Sequence, residues 1–429
     1  MNHTYITRAI WAPNGQSYDF RLCLGGCSNP PQIDGIPLTG VEAVAPAGQM
    51  EIPARAAAVV DATGKLVLPA LFDMHAKVEL EGRSKRESVT RAGQAAHQGG
   101  VWGMLVMPTP GFVFDNGAAL DSFADAVAQR SAAEMIPAGC ITLGMQGEQQ
   151  APYNTLAARG VTILSDAEHV PGNLLTLHHA MQYAAELGLT FAIRGDVPEL
   201  SRNTCMNPGP TAYRLGLHGT PPCAEEIGIE TMLRLAEDAG AKLHLQTVST
   251  AGGVDIIRRA KARGLRVTAE VALHHLLYTD ACVGDYDTTY KTLPPLRTQA
   301  DCDALLAGVR DGTIDCIVSD HTPCLPFAKK QDFISAPQGM AALDYLLPAL
   351  YTHLVKPGKL SWAELVAACC TRPAALVAPR NEEGEPTPAP LLLFDPQAQT
   401  LVTAADLPCG TLNTPQLGQR LFGAVTLPL

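Results

Sequence analysis

A chain of 429 residues, 47% hydrophobic and 17% charged, has room for one large domain, a smaller one and an ample core. Its net charge of −11, without any basic cluster, excludes nucleic acid as the expected partner. No apolar run reaches the ~18 residues of a membrane span, and the opening MNHTYITRAI lacks the basic-then-apolar pattern of a signal peptide. Twelve cysteines without CxxC spacing, two of them adjacent at Cys369 and Cys370, suit reduced thiols and a cytoplasmic setting.

Residues 1–68 are rich in Gly, Pro and Val, with short apolar runs at Val41 to Val44 and Ala57 to Val60, and are expected to start a small β unit. From 69 to 379 the pattern alternates between strand and helix, with glycine as punctuation. Candidate strands are Leu71–Lys77, Val101–Met107, Cys140–Met145, Val161–Asp166, Thr190–Gly195, Lys242–Val248, Arg266–Leu273 and Ile314–Asp320. Helical periodicity is clearest in Asn173–Leu187, Ile227–Ala239, Val254–Arg263 and Ala300–Arg310. Eight strands separated by helices predict an α/β chain folded as a (β/α)8 TIM barrel. From 380 to 429 an acidic, Pro-rich stretch, NEEGEPTPAP, precedes short strands at Leu391–Phe394 and Leu401–Thr403. Both termini are expected to build one small β-sandwich subdomain beside the barrel.

Barrel enzymes carry their chemistry at the C-terminal ends of the strands. Those ends hold His75 and Lys77, then Thr109, Asp166, Arg194, Thr247, His274 and Asp320. His75 and Lys77 point the same way at period two. An ammonium has no lone pair, so Lys77 opposes a metal instead of binding it. Arg194 adds a second fixed positive charge, and Thr247 offers only a neutral hydroxyl. Lys77 and Arg194 are expected to pair with Asp166 and Asp320, because buried carboxylates left alone are costly. The pairs His274-His275 and His178-His179, with His244 and His321, are read as packing or hydrogen-bonding residues. Cys324 reads as an ordinary thiol.

Several pieces together resemble the bacterial dihydroorotases of the amidohydrolase superfamily. They are GKLVLPALFDMHAK, LVMPTP, GVTILSDA, LGLHGTPPCAEE, VSTAGGVDIIRRAKARGLRVTAE, HHLLYTD, YKTLPPLRT and DGTIDCIVSDHTP, within 64–82, 99–110, 160–200 and 203–323. The resemblance implies a metal-binding barrel, and the departures from its pattern bear on function. Its strand-one motif His-x-His-x-Arg-Glu-Pro-Gly is here His75-Ala76-Lys77-Val78-Glu79-Leu80-Glu81-Gly82, so one ligand becomes Lys77 and the substrate-gripping arginine becomes Glu79. A substrate-binding asparagine is Thr109, two further histidine ligands are Arg194 and Thr247, the asparagine before Pro-Pro-Leu-Arg is Leu293, and a closing histidine is Cys324. Asp166 and Asp320 keep acidic ligand positions.

On this reading no metal and no other cofactor is expected, and the chain is a non-catalytic homologue with a vestigial site. The resemblance implies a partner: a subunit of this kind assembles with the catalytic subunit of aspartate carbamoyltransferase in pyrimidine biosynthesis. The alternative is an active mononuclear cyclic amidohydrolase using His75, Asp166 and Asp320. A homo-oligomeric scaffold related to the hydantoinases is a third reading.

Overall fold

The computed structural model describes residues 3–22, 30–38, 40–53, 56, 58–79, 88–377, 387, 389–408 and 410–426. Leu80, Glu81 and Gly82 of the strand-one motif, and most of the NEEGEPTPAP stretch, lie outside the described residues.

Eight parallel strands form the barrel: β1 (Leu71–Lys77), β2 (Val101–Met107), β3 (Glu134–Pro137), β4 (Ile163–Leu164), β5 (Thr190–Arg194), β6 (Lys242–Gln246), β7 (Val267–Ala272) and β8 (Cys316–Val318). They pair as two ladders, β1 to β3 and β4 to β8. Two isolated bridges close the ring, Gly139 to Leu164 between β3 and β4, and Ala76 to His321 between β8 and β1. The strands are covered on both faces, which is why they read in sequence as nearly continuous apolar runs.

The expected strand Cys140–Met145 is corrected. The third strand is Glu134–Pro137, and Leu143–Met145 forms a 3₁₀ turn with Gly144 at φ 59°. The backbone N–H groups of Ile141 and Thr142 donate to the Asp166 carboxylate, which removes them from any ladder. His274, expected at a strand end, lies in the short helix Leu273–Leu277.

Local chemistry sets the helices. Leu174–Glu186 is capped by the Asn173 side chain and Ala251–Ala262 by Thr250. Gln299–Asp311 starts at a reciprocal capping box between Thr298 and Asp301 and stops at Gly312 in the left-handed region. Pro222–Ala239 begins five residues before its apolar periodicity, because Pro222 sits at the first helical position, where its missing N–H costs nothing.

Both ends of the chain meet in a seven-stranded sheet. Its order is Arg420–Thr426, Leu391–Leu401, Leu66–Pro69, Thr4–Trp11, Ser17–Leu22 and Val41–Pro46, with Ala58–Asp61 also pairing with Thr4–Trp11. Leu391 to Phe394 run antiparallel to Leu66–Pro69, one residue upstream of β1, so the sheet is anchored directly to the barrel. Ile6, Trp11, Phe20, Leu38, Val67 and Leu393 form its separate core. Among the described residues no helix is long and apolar enough to cross a membrane.

Candidate active site

The C-terminal end of the barrel holds a buried chain of polar groups running across three strands. Parallel pairing sets His244 of β6 beside Thr268 of β7, and period two turns both, with Glu270, to the same face. His75 Nδ1 lies 2.6 Å from Glu270 Oε1, His244 Nε2 lies 3.1 Å from Glu270 Oε2, and His244 Nδ1 lies 2.8 Å from Thr268 Oγ1. Thr247 N–H also donates to Glu270. Burial alone would raise the Glu270 carboxyl, but the two imidazoles outweigh it and hold it at about 2. Burial pushes the His75 ring down; the Glu270 charge overcomes that and leaves it raised.

On its other side His75 faces Asp320, with Nε2 3.7 Å from Oδ1. His274 approaches the second oxygen, Nε2 to Oδ2 3.5 Å, yet neither ring nitrogen of His274 has a hydrogen-bond partner among the described residues, although both are buried. Burial raises the Asp320 carboxyl to about 6, against the pull of His75 and Lys77. Three residues that follow strands around this point take left-handed backbone without being glycine: Ala167 at φ 53°, Thr247 at 45° and Asp320 at 46°. Such conformations cost on the order of 1–3 kcal/mol each and concentrate at functional sites.

The cations do not pair as expected. Lys77 forms its ion pair with Glu168, not with Asp166 or Asp320, and holds the Glu168 carboxyl at about 2. Arg194 Nη2 reaches Asp196 Oδ2 and the Glu168 carbonyl, each at 3.4 Å, while its Nη1 is buried without a hydrogen-bond partner among the described residues. Asp166 accepts from Ile141 N–H, Thr142 N–H and the Thr142 hydroxyl, so its carboxylate braces the loop after β3. A cavity of about 10 Å³ remains among His75, Glu168, Arg194, Gln246, Thr247 and Asp320, with Ala167 and Leu293 completing its wall. Thr109 closes a turn with Phe112, Glu79 lies against Gly111, and Cys324 N–H donates to Asn413.

The residues present do not fit the metal centre implied by the resemblance. Among the described residues no three His, Cys, Asp or Glu side chains converge as a donor set. The mononuclear set His75, Asp166 and Asp320 is not assembled, because Asp166 is spent on the β3 loop. Glu270, Glu168 and the Asp320-facing role of His274 escaped the sequence reading. Glu270 lies two residues inside β7, and reading only strand ends passes over it; its alternation with Thr268 in VTAEVA was the available signal.

A family model described as Dihydro-orotase-like matches residues 64–252. A protein of Pelotomaculum thermopropionicum named Dihydroorotase is 38% identical over 368 residues, covering 86% of each chain. Proteins of the same name from Leifsonia xyli subsp. xyli and Mycobacterium tuberculosis are 36% and 34% identical, over 88% and 86% of this chain and 87% of each of theirs. Among solved structures, L-hydantoinase (dihydropyrimidinase) from Arthrobacter aurescens matches with a TM-score of 0.81 at 21% identity, covering 100% of this chain and 95% of its own. Dihydropyrimidinase from Brevibacillus agri matches at 0.78 and 19%, covering 99% and 92%. At those identities the structures establish the shared fold.

These relatives correct the expectation that the chain is not an enzyme. Over most of its length it shares a third or more of its residues with proteins named for an activity. The physical reason is that exchanging ligand positions is not the same as losing titratable chemistry. Asp320 is still flanked by two imidazoles, His75 at 3.7 Å from one oxygen and His274 at 3.5 Å from the other.

Proposed function

The chain belongs to the dihydroorotase-like family of amidohydrolases, and from that premise we propose that it is a cyclic amidohydrolase acting on a dihydroorotate-type ring through a rearranged site. The observation that carries this reading is Asp320, a buried carboxyl near 6, in left-handed backbone, between His75 and His274. A group with that affinity for protons exchanges them readily near neutral pH. Asp320 takes a proton from water as the oxygen adds to the ring carbonyl, and returns it to the amide nitrogen as the C–N bond breaks. Glu270 holds the His75 ring in place beside Asp320. No step is assigned to a metal.

The test is ring opening of dihydroorotate by the purified full-length chain, assayed after chelator treatment and again with added zinc. Turnover is expected, and Asp320→Asn lowers it by at least about 100-fold, the usual scale of a lost acid–base group. No turnover in either condition would overturn the reading.

We also propose, separately, that the chain associates in the cytoplasm with the catalytic subunit of aspartate carbamoyltransferase. In favour stand Tyr213 of the short helix Pro210–Leu215 and Tyr286, Phe327 and Ile334 of turns, exposed large apolar or aromatic side chains on segments joined by Tyr286 to Leu215, Arg214 to Gly284 and Thr288 to Lys329 hydrogen bonds. Co-purification of carbamoyltransferase activity supports this, and separate migration of the two proteins at micromolar concentration refutes it.

A further inference from the structure

Arg194 is an incompletely satisfied charged group at the barrel mouth. Its side chain is 8% exposed and Nη1 is buried with no hydrogen-bond partner among the described residues. Both contacts of Nη2 are 3.4 Å long, beyond the about 2.7–3.2 Å of a good N–H···O bond. A buried guanidinium with an unused donor, on a side chain that lines a cavity, is rare, because natural interiors satisfy such groups. Its planar fork matches a carboxylate in two-point fashion.

Glu168 is the neighbour that could answer it with a hydrogen bond. Its carboxylate feels the Arg194 charge but pairs with Lys77, and it is the Glu168 backbone carbonyl that accepts from Arg194. The Glu168 side chain is 42% exposed, against 13% for Lys77, so it lies over the cations from the solvent side. The remaining cavity of about 10 Å³ holds no more than a water molecule. Any ring ligand must therefore move a side chain, and Glu168 is the most exposed of the charged side chains in the wall.

We propose that Lys77 and Arg194 form a carboxylate-binding subsite at the barrel mouth, and that Glu168 occupies it as an internal stand-in which the carboxylate of an entering ligand displaces. The ligand class is a small planar or near-planar ring carrying one carboxylate. The incoming carboxylate takes over Lys77 and brings a second oxygen to Arg194 Nη1, a bond Glu168 leaves unmade. Charge is conserved in the exchange, since one anion replaces another beside the same two cations. The proposal rests on the barrel mouth being the ligand site, but not on turnover there.

Orotate and uracil test it, since they share a ring and differ in the carboxylate, and neither is opened by hydrolysis of a saturated ring amide. Binding is measured by calorimetry on the full-length chain and on Glu168→Gln, Glu168→Ala and Glu168→Gln/Arg194→Gln, each verified as folded by circular dichroism. Removing the competing carboxylate is expected to tighten orotate binding roughly tenfold or more, in both Glu168 variants, with uracil affinity changing less than about twofold. Adding Arg194→Gln is expected to abolish the gain. Unchanged orotate affinity in both Glu168 variants would overturn the proposal, as would an equal gain for uracil, which would mean that only space was created. A tenfold gain in a protein that never opens dihydroorotate supports the subsite while defeating the catalytic reading. Turnover with orotate binding indifferent to Glu168 does the opposite.

Discussion

Replacing Glu270 by Gln keeps the shape of a fully buried side chain and removes its charge. In the folded protein that charge accepts from both His75 and His244 and from Thr247 N–H. A carboxyl lowered from 4.5 to about 2 is worth roughly 3 kcal/mol at neutral pH. Breaking one side of a buried, hydrogen-bonded pair costs about 3–5 kcal/mol, in agreement with that figure. The sign follows from the direction of the shift. A lowered carboxyl contributes fully above its unfolded value of 4.5, and the contribution fades as pH falls toward about 2. Raised His75 contributes fully below 6.5 and loses its share as pH rises through its folded value. Both describe one interaction and are not added. Urea unfolding followed by circular dichroism at pH 7 is the assay. Glu270→Gln is expected to lose about 3 kcal/mol at pH 7. A loss under about 1 kcal/mol at pH 7 would refute the account of this buried chain.

Three other outcomes follow from particular contacts. If Asp320 is the base, the rate of ring opening rises with pH through about 6, where its carboxyl ionises, and this limb disappears in Asp320→Asn. Gly228→Ala would place a Cβ 2.1 Å from the backbone nitrogen of Asp196; a loss of about 1–3 kcal/mol is expected in thermal or urea unfolding, with Arg194 disturbed through its Asp196 contact. Thr298→Ala opens the capping box of Gln299–Asp311 and is expected to cost about 1 kcal/mol in the same measurement, without change in orotate binding.

The continuous apolar runs at Val101–Met107 and Thr190–Arg194 are legible as barrel strands because both faces of a parallel strand are covered, whatever the rest of the chain does. The Pro-Ala-Gly-Cys segment misled the third-strand assignment for a tertiary reason: a carboxylate 24 residues away in sequence takes the N–H groups a ladder would have used. Residue identities at the strand ends were equally legible, down to the positive charges at 77 and 194.

Amino-acid order by itself determined the barrel, its attached sheet and the list of groups near the mouth. Which carboxylate each cation meets was decided only in three dimensions. Asp166 and Glu168 stand two apart and should share a face, but Ala167 between them is left-handed, and a left-handed residue breaks the alternation of a strand. Asp166 therefore turns to the β3 loop and Glu168 to Lys77. Glu270 gained its two imidazoles because parallel register set β6 and β7 side by side and barrel closure brought β1 around to meet them. Local propensity is read along the chain, whereas charge pairing is settled across it, by distances that only the closed barrel defines.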